Sequence, residues 1–237
     1  MEEKKPKRPK KPKTFAPSLS GRCLRYSVMD LLGFGRQLSD DTLAAMHEGA
    51  SLHKQFQQSL ATSCDVVGLE VPLKNSELRI SGRIDAVVRE HDHCIAVEYK
   101  TMRDEKFSAM RTTGPVFDHW AQLALYVNIG GYYGGWLVVE NRGTGERLTW
   151  PQTPDPSWAE WLVQRIAAAQ EYQEKKALPL REVSVKCRHC DRWQRCFKSE
   201  SDREAAIAAH PLWEPVPQAP EITWQNDPAV WRREGIQ

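Results

Sequence analysis

The sequence predicts one domain with a central sheet and helices on both sides, of the α/β or α+β class. Strand-like alternation of apolar and polar residues is concentrated in the middle of the chain, in segments 66–73, 78–89 and 94–101. Helical periodicity flanks these strands, in segments 40–60 and 156–176. Helices on either side of a strand-rich centre are typical of a sheet covered on both faces.

Caps and chain breakers predict the remaining elements. Ser18 is placed to cap a helix that runs to Leu32, and Gly130-Gly131 ends a helix that begins at Phe117. Segments 136–140 and 147–150 form a predicted hairpin. Residues 103–115, which end in Gly-Pro, are predicted as a loop. In the second strand, one face is predicted to carry Leu78, Ile80, Gly82, Ile84, Ala86 and Val88.

The composition predicts a soluble cytoplasmic protein that carries metal or redox chemistry. Of the 237 residues, 41% are hydrophobic and 27% are charged, as in globular domains. No apolar run approaches the length of a membrane span, and the N-terminus lacks the apolar region of a secretory signal. In the cytosol, six cysteines favour metal ligation over structural disulfides.

Charge divides the chain unevenly. Residues 1–13 hold seven Lys/Arg and two Glu, so they carry +5 and the remainder carries −3. Such a tail attracts nucleic acid, and it is equally typical of a solubilising leader. We predict a disordered basic tail over 1–16, a single domain over 17–200 and a Pro/Trp-rich C-terminal arm over 201–237.

Three charged residues in the predicted strands carry the functional argument. Glu98 and Lys100 are two apart, so they share a strand face. If the second and third strands form a hairpin around His91-Asp92, paired residue numbers sum to 183, which places Asp85 opposite Glu98. Two carboxylates that close repel unless a cation lies between them. The alternative is an exposed charged strand face with an ordinary salt bridge.

These residues fit phosphodiester hydrolysis. A divalent cation neutralises charge on the phosphate and lowers the pKa of an attacking water. The Lys100 amine would orient that water or stabilise the charged transition state.

The segment Gly82-Arg-Ile-Asp85, followed by Glu98-Tyr-Lys100, resembles the D…ExK signature of the PD-(D/E)XK nucleases. Ile84 stands where the signature is usually written with proline. The resemblance implies a restriction-endonuclease-like α/β core with a central mixed sheet, and Mg²⁺ or Mn²⁺ as the catalytic ion. It assigns catalysis to Asp85, Glu98 and Lys100.

Two further motifs resemble the RecB-like branch of that superfamily. Gly49-Ala-Ser-Leu-His53 is similar to its G-x-x-x-H motif, and Gln122-Leu-Ala-Leu-Tyr126 to its Q-x-x-x-Y helix. The resemblance implies substrate binding by the second motif. The implied metal ligands are His53, Asp85, Glu98 and the backbone carbonyl of Tyr99. His53 as an ordinary core histidine, and Glu70 as a further acidic contributor, both remain open.

The cysteines suggest a second metal centre. Cys187, Cys190 and Cys196 have the spacing C-x2-C-x5-C, which leaves a four-ligand site one ligand short. Residue reasoning leaves the fourth ligand open among Cys23, Cys64, Cys94 and His189.

The arrangement resembles the iron–sulfur subgroup of RecB-like nucleases, in which one cysteine precedes the core and three follow it. This resemblance implies that Cys23 completes the ligand set of a [4Fe–4S] cluster joining the N- and C-terminal segments, with zinc as the alternative. Cys64 and Cys94 are then packing thiols. The basic residues Arg188, Arg192, Arg195 and Lys198 fit either a passing nucleic-acid strand or charge compensation for an anionic cluster.

The resemblance implies a metal-dependent DNA nuclease, an exonuclease acting on single strands, ends or flaps. Among the nucleases in this subgroup, the small CRISPR adaptation enzymes are most similar, which implies an integrase complex as partner. A phage or mobile-element recombination or repair exonuclease that works with a helicase has the same motifs. A non-catalytic nuclease-like scaffold for DNA or a protein is the remaining alternative. No membrane partner is expected.

Overall fold

Five strands form one mixed sheet in the computed structural model, which describes residues 13–210 and 219–222. The spatial order is β1-β2-β3-β4-β5, with β3 and β4 parallel and the other neighbours antiparallel. The strands are β1 Asp65–Asn75, β2 Ile80–Glu90, β3 His93–Met102, β4 Gly134–Asn141 and β5 Arg147–Gln152. The helices are α1 Leu24–Leu31, α2 Asp40–Ser63, α3 Asp104–Thr113, α4 Phe117–Asn128, α5 Pro156–Glu174 and α6 Glu200–Ala208. Three 3₁₀ turns span Pro17–Leu19, Val185–His189 and Trp193–Arg195.

The two faces of the sheet bury separate hydrophobic clusters. The larger cluster joins the sheet to α1, α4 and α5, and includes Leu123, Leu137 and Ile166. The smaller cluster lies under α2, where Phe56 and Leu60 pack against β2 and β3. The prediction of a central mixed sheet flanked by helices is therefore confirmed.

The predicted hairpin register is also confirmed. Ala86 pairs with Val97 and Val87 with Ala96, so paired numbers sum to 183. The ladder ends at Ala86, one residue before Asp85 would pair with Glu98. The two strands therefore separate where these carboxylates lie, and the gap between them opens into the candidate site.

The prediction of one uninterrupted apolar face on β2 was wrong. Ile84 belongs to the cluster under α4 and α5, whereas Ala86 belongs to the cluster under α2. Next to this switch, the β1–β2 ladder lacks the pair between Glu70 and Asp85, and Glu70 has a φ of 50°. A left-handed residue inside a strand interrupts regular alternation.

Two local predictions are corrected as well. Residues 103–115 contain α3, because acidic residues at its first turn favour a helix and Phe107 and Met110, three apart, are buried on one side. The helix near the N-terminus begins later than predicted. Its cap is Cys23, whose sulfur accepts a hydrogen bond from the Tyr26 N–H at 3.3 Å.

Elements of the fold lie on both sides of the predicted domain boundaries. The core begins before Pro17, because Phe15 is buried and bridges to Ile80 of β2. Helix α6 occupies the start of the predicted arm. Residues 1–12, 211–218 and 223–237, which hold most of the basic tail and the tryptophans of the arm, lie outside the described residues. None of the helices described has the length and apolar character needed to cross a bilayer.

Candidate active site

Strands β2 and β3 separate beyond the pair Ala86–Val97, and we call this opening the fork. The fork brings the three residues of the D…ExK motif together. The Tyr99 N–H donates a hydrogen bond to the Asp85 carboxylate at 2.8 Å, which fixes this side chain at the end of the ladder. Lys100 forms an ion pair with Glu98. The Glu98 side chain is only 1% exposed and that of Lys100 is 28% exposed, so this pair is not the exposed salt bridge that the alternative interpretation required.

His53, Glu70 and Asp85 form a cluster of metal-ligating atoms. One ligand atom from each lies within 4.8 Å of the others. His53 Nε2 lies 3.5 Å from Asp85 Oδ1 and 3.8 Å from Glu70 Oε1. Two carboxylates and an imidazole at this spacing fit a divalent cation, whose charge would offset their mutual repulsion. The cluster holds Glu70 in place of Glu98, so the strained residue of β1 is a stronger candidate ligand than the sequence indicated.

Gln57 connects all three members of this cluster, and sequence reasoning missed it. Its side-chain amide donates to Glu70 Oε1 and to the Asp85 carbonyl, each at 3.0 Å, and lies 3.4 Å from His53 Nε2. Gln57 follows His53 by four residues on α2, so the two share a helix face. That spacing was the available sequence signal.

Two aromatic residues, Tyr99 and Phe56, pack beside His53. The rings of His53 and Tyr99 stack with centroids 5.7 Å apart, and the rings of Phe56 and Tyr99 stack with centroids 4.2 Å apart. Helix α2 and strand β3 are thus joined beside the cluster. Tyr99 also lies beyond the last β2–β3 pair, so its carbonyl, a predicted ligand, is at the open part of the fork.

Burial and neighbouring charges shift the pKa values of the titratable residues in the site. Burial raises the pKa of Glu98 to about 7, although Lys100 opposes the shift. Burial likewise raises the pKa of Asp85. Burial alone would lower the pKa of Lys100, but the carboxylates of Glu98 and Asp85 outweigh it and raise that pKa, so the amine stays charged. Burial lowers the pKa of His53, which favours the neutral imidazole that a metal requires.

Helix α4 closes the site from the opposite face of the sheet. The Gln122 amide donates to the Tyr126 hydroxyl at 2.7 Å, and this hydroxyl donates to the Arg83 carbonyl at 3.0 Å. Tyr126 is fully buried, and it lies close enough to Glu98 to affect the pKa of that carboxyl. These bonds tie the predicted substrate-binding pair to β2 and leave little of it exposed.

The four cysteines of the predicted cluster lie near one another, and we call this group the cysteine cage. Burial raises the pKa of Cys23 to about 12, and the neighbouring Glu182 and the thiols of Cys190 and Cys187 add to the shift. Burial also raises the pKa of Cys187 and Cys190, with Cys196 contributing to both. No three of these sulfurs lie within 4.8 Å of one another. The fold nevertheless brings a cysteine at the start of α1 close to three cysteines that follow α5.

Protein contacts hold the cage segment on α1. The buried Arg192 guanidinium donates to the Asp30 carboxylate at 2.6 Å and to the carbonyls of Tyr26 and Phe34. Arg188 pairs with Glu204 of α6. Arg188 and Arg192, two of the basic residues for which nucleic-acid contact was considered, thus form ion pairs within the protein.

The other candidate ligands differ from Cys23 in their surroundings. Cys64 packs against the cluster under α2, and Cys94 against the larger cluster. His189 is exposed on its turn. Cys23 is the predicted fourth ligand that the fold brings to the other three.

A family model agrees with this geometry. The model of the PD-(D/E)XK nuclease superfamily matches residues 34–197, which span α2, the whole sheet and the cysteine segment. Comparison with curated proteins gives no match.

Solved structures share the fold at low sequence identity. The crystal structure of SSO0001 has a TM-score of 0.50 at 17% identity, covering 78% of this chain and 85% of that one. An alkaline exonuclease from Laribacter hongkongensis has a TM-score of 0.52 at 12% identity, covering 69% and 89%. The same exonuclease in complex with dAMP gives 0.51 at 14% identity, with the same coverage.

The matched region contains the hairpin fork, the ligand cluster of α2 and β1, and the helix that closes the site. With more than half of its residues matched, the chain belongs to the PD-(D/E)XK nuclease superfamily.

Proposed function

We propose that this protein is a divalent-metal-dependent deoxyribonuclease that degrades DNA from ends, single strands or flaps. The observation that carries the proposal is the cluster of His53, Glu70 and Asp85 within 4.8 Å, beside the buried pair of Glu98 and Lys100. The buried Glu98 and the partly buried Asp85 carry like charges beside a single lysine, an arrangement that a bound divalent cation would stabilise.

Each residue has a distinct part in the proposed reaction. His53, Asp85 and Glu70 would hold Mg²⁺ or Mn²⁺, with Glu98 and the Tyr99 carbonyl as predicted further ligands. The cation would supply charge neutralisation at the phosphate and acidify a water. The Lys100 amine, charged and held by Glu98, is placed to donate hydrogen bonds to the attacking water or to a phosphate oxygen.

The proposed preference for DNA ends rests on similarity to a solved exonuclease structure and to RecB-like sequence motifs. The Laribacter hongkongensis exonuclease shares the fold and is described with dAMP bound. The RecB-like motifs Gly49…His53 and Gln122…Tyr126 favour the same class of activity.

We propose further that the cysteine cage holds a [4Fe–4S] cluster. The support is the C-x2-C-x5-C spacing in the sequence and the proximity of Cys23 to the thiols of Cys187 and Cys190. The cluster would join α1 to the segment after α5, since Cys23 and Cys187 are 164 positions apart. We favour processing of DNA for CRISPR adaptation as the biological role, on motif resemblance alone, with recombination or repair as the alternative.

A nuclease assay tests the proposal. Strands labelled at the 5′ or 3′ end, single-stranded or duplex, are incubated with Mg²⁺, Mn²⁺ or EDTA. We expect metal-dependent degradation that is abolished in Asp85→Ala. Binding of DNA without cleavage under every metal condition would support the non-catalytic scaffold instead. Cleavage that persists in Asp85→Ala would refute the assignment of the site.

A further inference from the structure

The cysteine cage is joined to helix α4 through one carboxylate. Arg22 and Lys186 each directly precede a cage cysteine, and both contact Asp118 in the first turn of α4. Lys186 Nζ lies 2.5 Å from Asp118 Oδ1, and Arg22 Nη1 lies 3.5 Å from Oδ2. One side chain of α4 therefore connects both chain segments that the cage brings together.

Backbone packing reinforces this connection. A Cβ atom added to Gly21 would lie 2.3 Å from the Asp118 Cα, so the chain before Cys23 touches the α4 backbone where only glycine fits. The Asp118 side chain is 13% exposed. Asp118 is thus the mostly buried partner that two more exposed cations share.

Helix α4 leads from this contact to the reaction centre. Gln122 lies one turn after Asp118, and Tyr126 lies one turn further on. Tyr126 bonds to the Arg83 carbonyl, two residues before Asp85, and adjoins Glu98. A change in the angle or stability of α4 would therefore reach both catalytic carboxylates.

Other polar contacts of the cysteine segments are made with α1 and α5 and not with α4. Arg192 attaches the cage segment to α1. Glu182 accepts from the Leu24 N–H at the start of α1, and Arg165 of α5 pairs with it. These contacts hold the cage in place, whereas the contacts of Asp118 link it to the helix beside the site.

We propose that Asp118 is a positioning residue that couples the filled cysteine cage to α4, and thereby orders the Tyr126–Glu98 side of the active site. The inference rests on the proposed nuclease function. It explains how metal bound in the cysteine cage would affect the rate of DNA cleavage. Loss of the metal centre would release Arg22 and Lys186, loosen α4 and lower turnover.

Hydrogen–deuterium exchange tests the coupling without requiring activity. Exchange of residues 117–128 is compared in the wild type, Asp118→Asn, Cys196→Ser and the double variant. Local opening sets these rates, so we expect each single variant to exchange about tenfold faster. The double variant should be little faster than either single variant. Wild-type exchange in Asp118→Asn, or effects that multiply in the double variant, would overturn the proposal.

Controls separate this coupling from general destabilisation. Glu171→Gln removes an exposed ion pair with Lys175 and should leave α4 unchanged, and residues 134–152 should keep wild-type exchange in Asp118→Asn. If Cys196→Ser loosens the whole domain, Lys186→Met breaks the same link from the cage side. It should reproduce the effect of Asp118→Asn on α4 with the metal content of the cage intact, and wild-type exchange there would contradict us.

Kinetics then connect the coupling to function. In Asp118→Asn with a filled cage, kcat on labelled DNA should fall about tenfold, matching the exchange effect. A wild-type protein without nuclease activity would count against the proposed function, while the exchange comparison would still decide the coupling. Normal kcat together with faster exchange would show that α4 does not order the site.

Discussion

The side-chain amide of Gln57 donates a hydrogen bond to the Glu70 carboxylate at 3.0 Å, and Glu70 adopts a left-handed backbone conformation. The same amide donates to the Asp85 carbonyl. Helix α2 thus fixes a strained residue of β1 against β2, at the point where the ladder between these strands is interrupted. Strain of this kind persists where surrounding contacts hold it, and such positions often serve function.

Replacing Gln57 by alanine should weaken metal binding. Loss of a residue that orients ligands typically lowers metal affinity about 10- to 100-fold. We expect Gln57→Ala to raise the Kd for Mn²⁺, measured by calorimetry, within that range, with little change in the folded structure. Gln164→Ala on the exposed face of α5 is the matched control. Unchanged Mn²⁺ affinity in Gln57→Ala would show that the amide has no role in the metal site.

Lys100 and Asp85 should differ in which property they support. Lys100→Met removes the amine but keeps the ligands, so turnover should fall at least about 100-fold, as for loss of an electrostatic stabiliser. Binding of Mn²⁺ should persist. Asp85→Ala should abolish both. Calorimetry with Mn²⁺ and single-turnover cleavage of labelled DNA measure the two properties separately, and loss of Mn²⁺ binding in Lys100→Met would contradict the division of roles.

His119 should make the folded protein sensitive to acid. Burial lowers its pKa well below 6.5, and the nearby cations Lys100, Arg22, Lys186 and Lys106 lower it further. Its Nδ1 is buried without a hydrogen-bond partner. Because the unfolded chain binds the proton more readily, this contribution to stability is present above pH 6.5 and is lost as the pH falls toward the folded-state pKa.

The comparison with His119→Gln isolates this effect. Below about pH 6.5 the wild type should lose up to about 1.4 kcal/mol per pH unit relative to the variant, until the folded-state pKa is reached. Denaturant unfolding between pH 7.5 and 5 measures the difference, and the other titrating groups cancel between the two proteins. Parallel stability curves would mean that His119 is protonated equally in both states.

The [4Fe–4S] cluster proposed for the cysteine cage should be visible in the absorption spectrum. Protein purified without oxygen should be brown, with broad absorption near roughly 400 nm from thiolate-ligated iron. Cys187→Ser should lose this absorption, whereas Cys94→Ser should keep it, because Cys94 lies in β3 beside Tyr132 and Tyr133. A colourless protein that contains one zinc ion would exclude the iron–sulfur proposal.

The sequence by itself determined the sheet hairpin and the motifs that the hairpin carries. Alternation with a period of two, together with a tight turn at His91-Asp92, predicted the register that pairs Ala86 with Val97, and Asp85 and Glu98 follow directly beyond this last pair. Local periodicity also predicted α2, α4 and α5, because a helix that buries one face has apolar residues three and four positions apart. Cap and breaker rules were less reliable for α1 and α3, where packing of Tyr26, Phe107 and Met110 decided the outcome.

Only the tertiary structure decided how the site is completed. The hydrogen bonds of Gln57 with Glu70 and Asp85 join residues far apart in the chain. So do the contacts of Asp118 with Arg22 and Lys186. No short-range pattern encodes such meetings, because they depend on how helices pack against the sheet. The physical reason is that periodicity indicates which face of a helix or strand is buried. Which other element packs against that face depends on the tertiary structure as a whole.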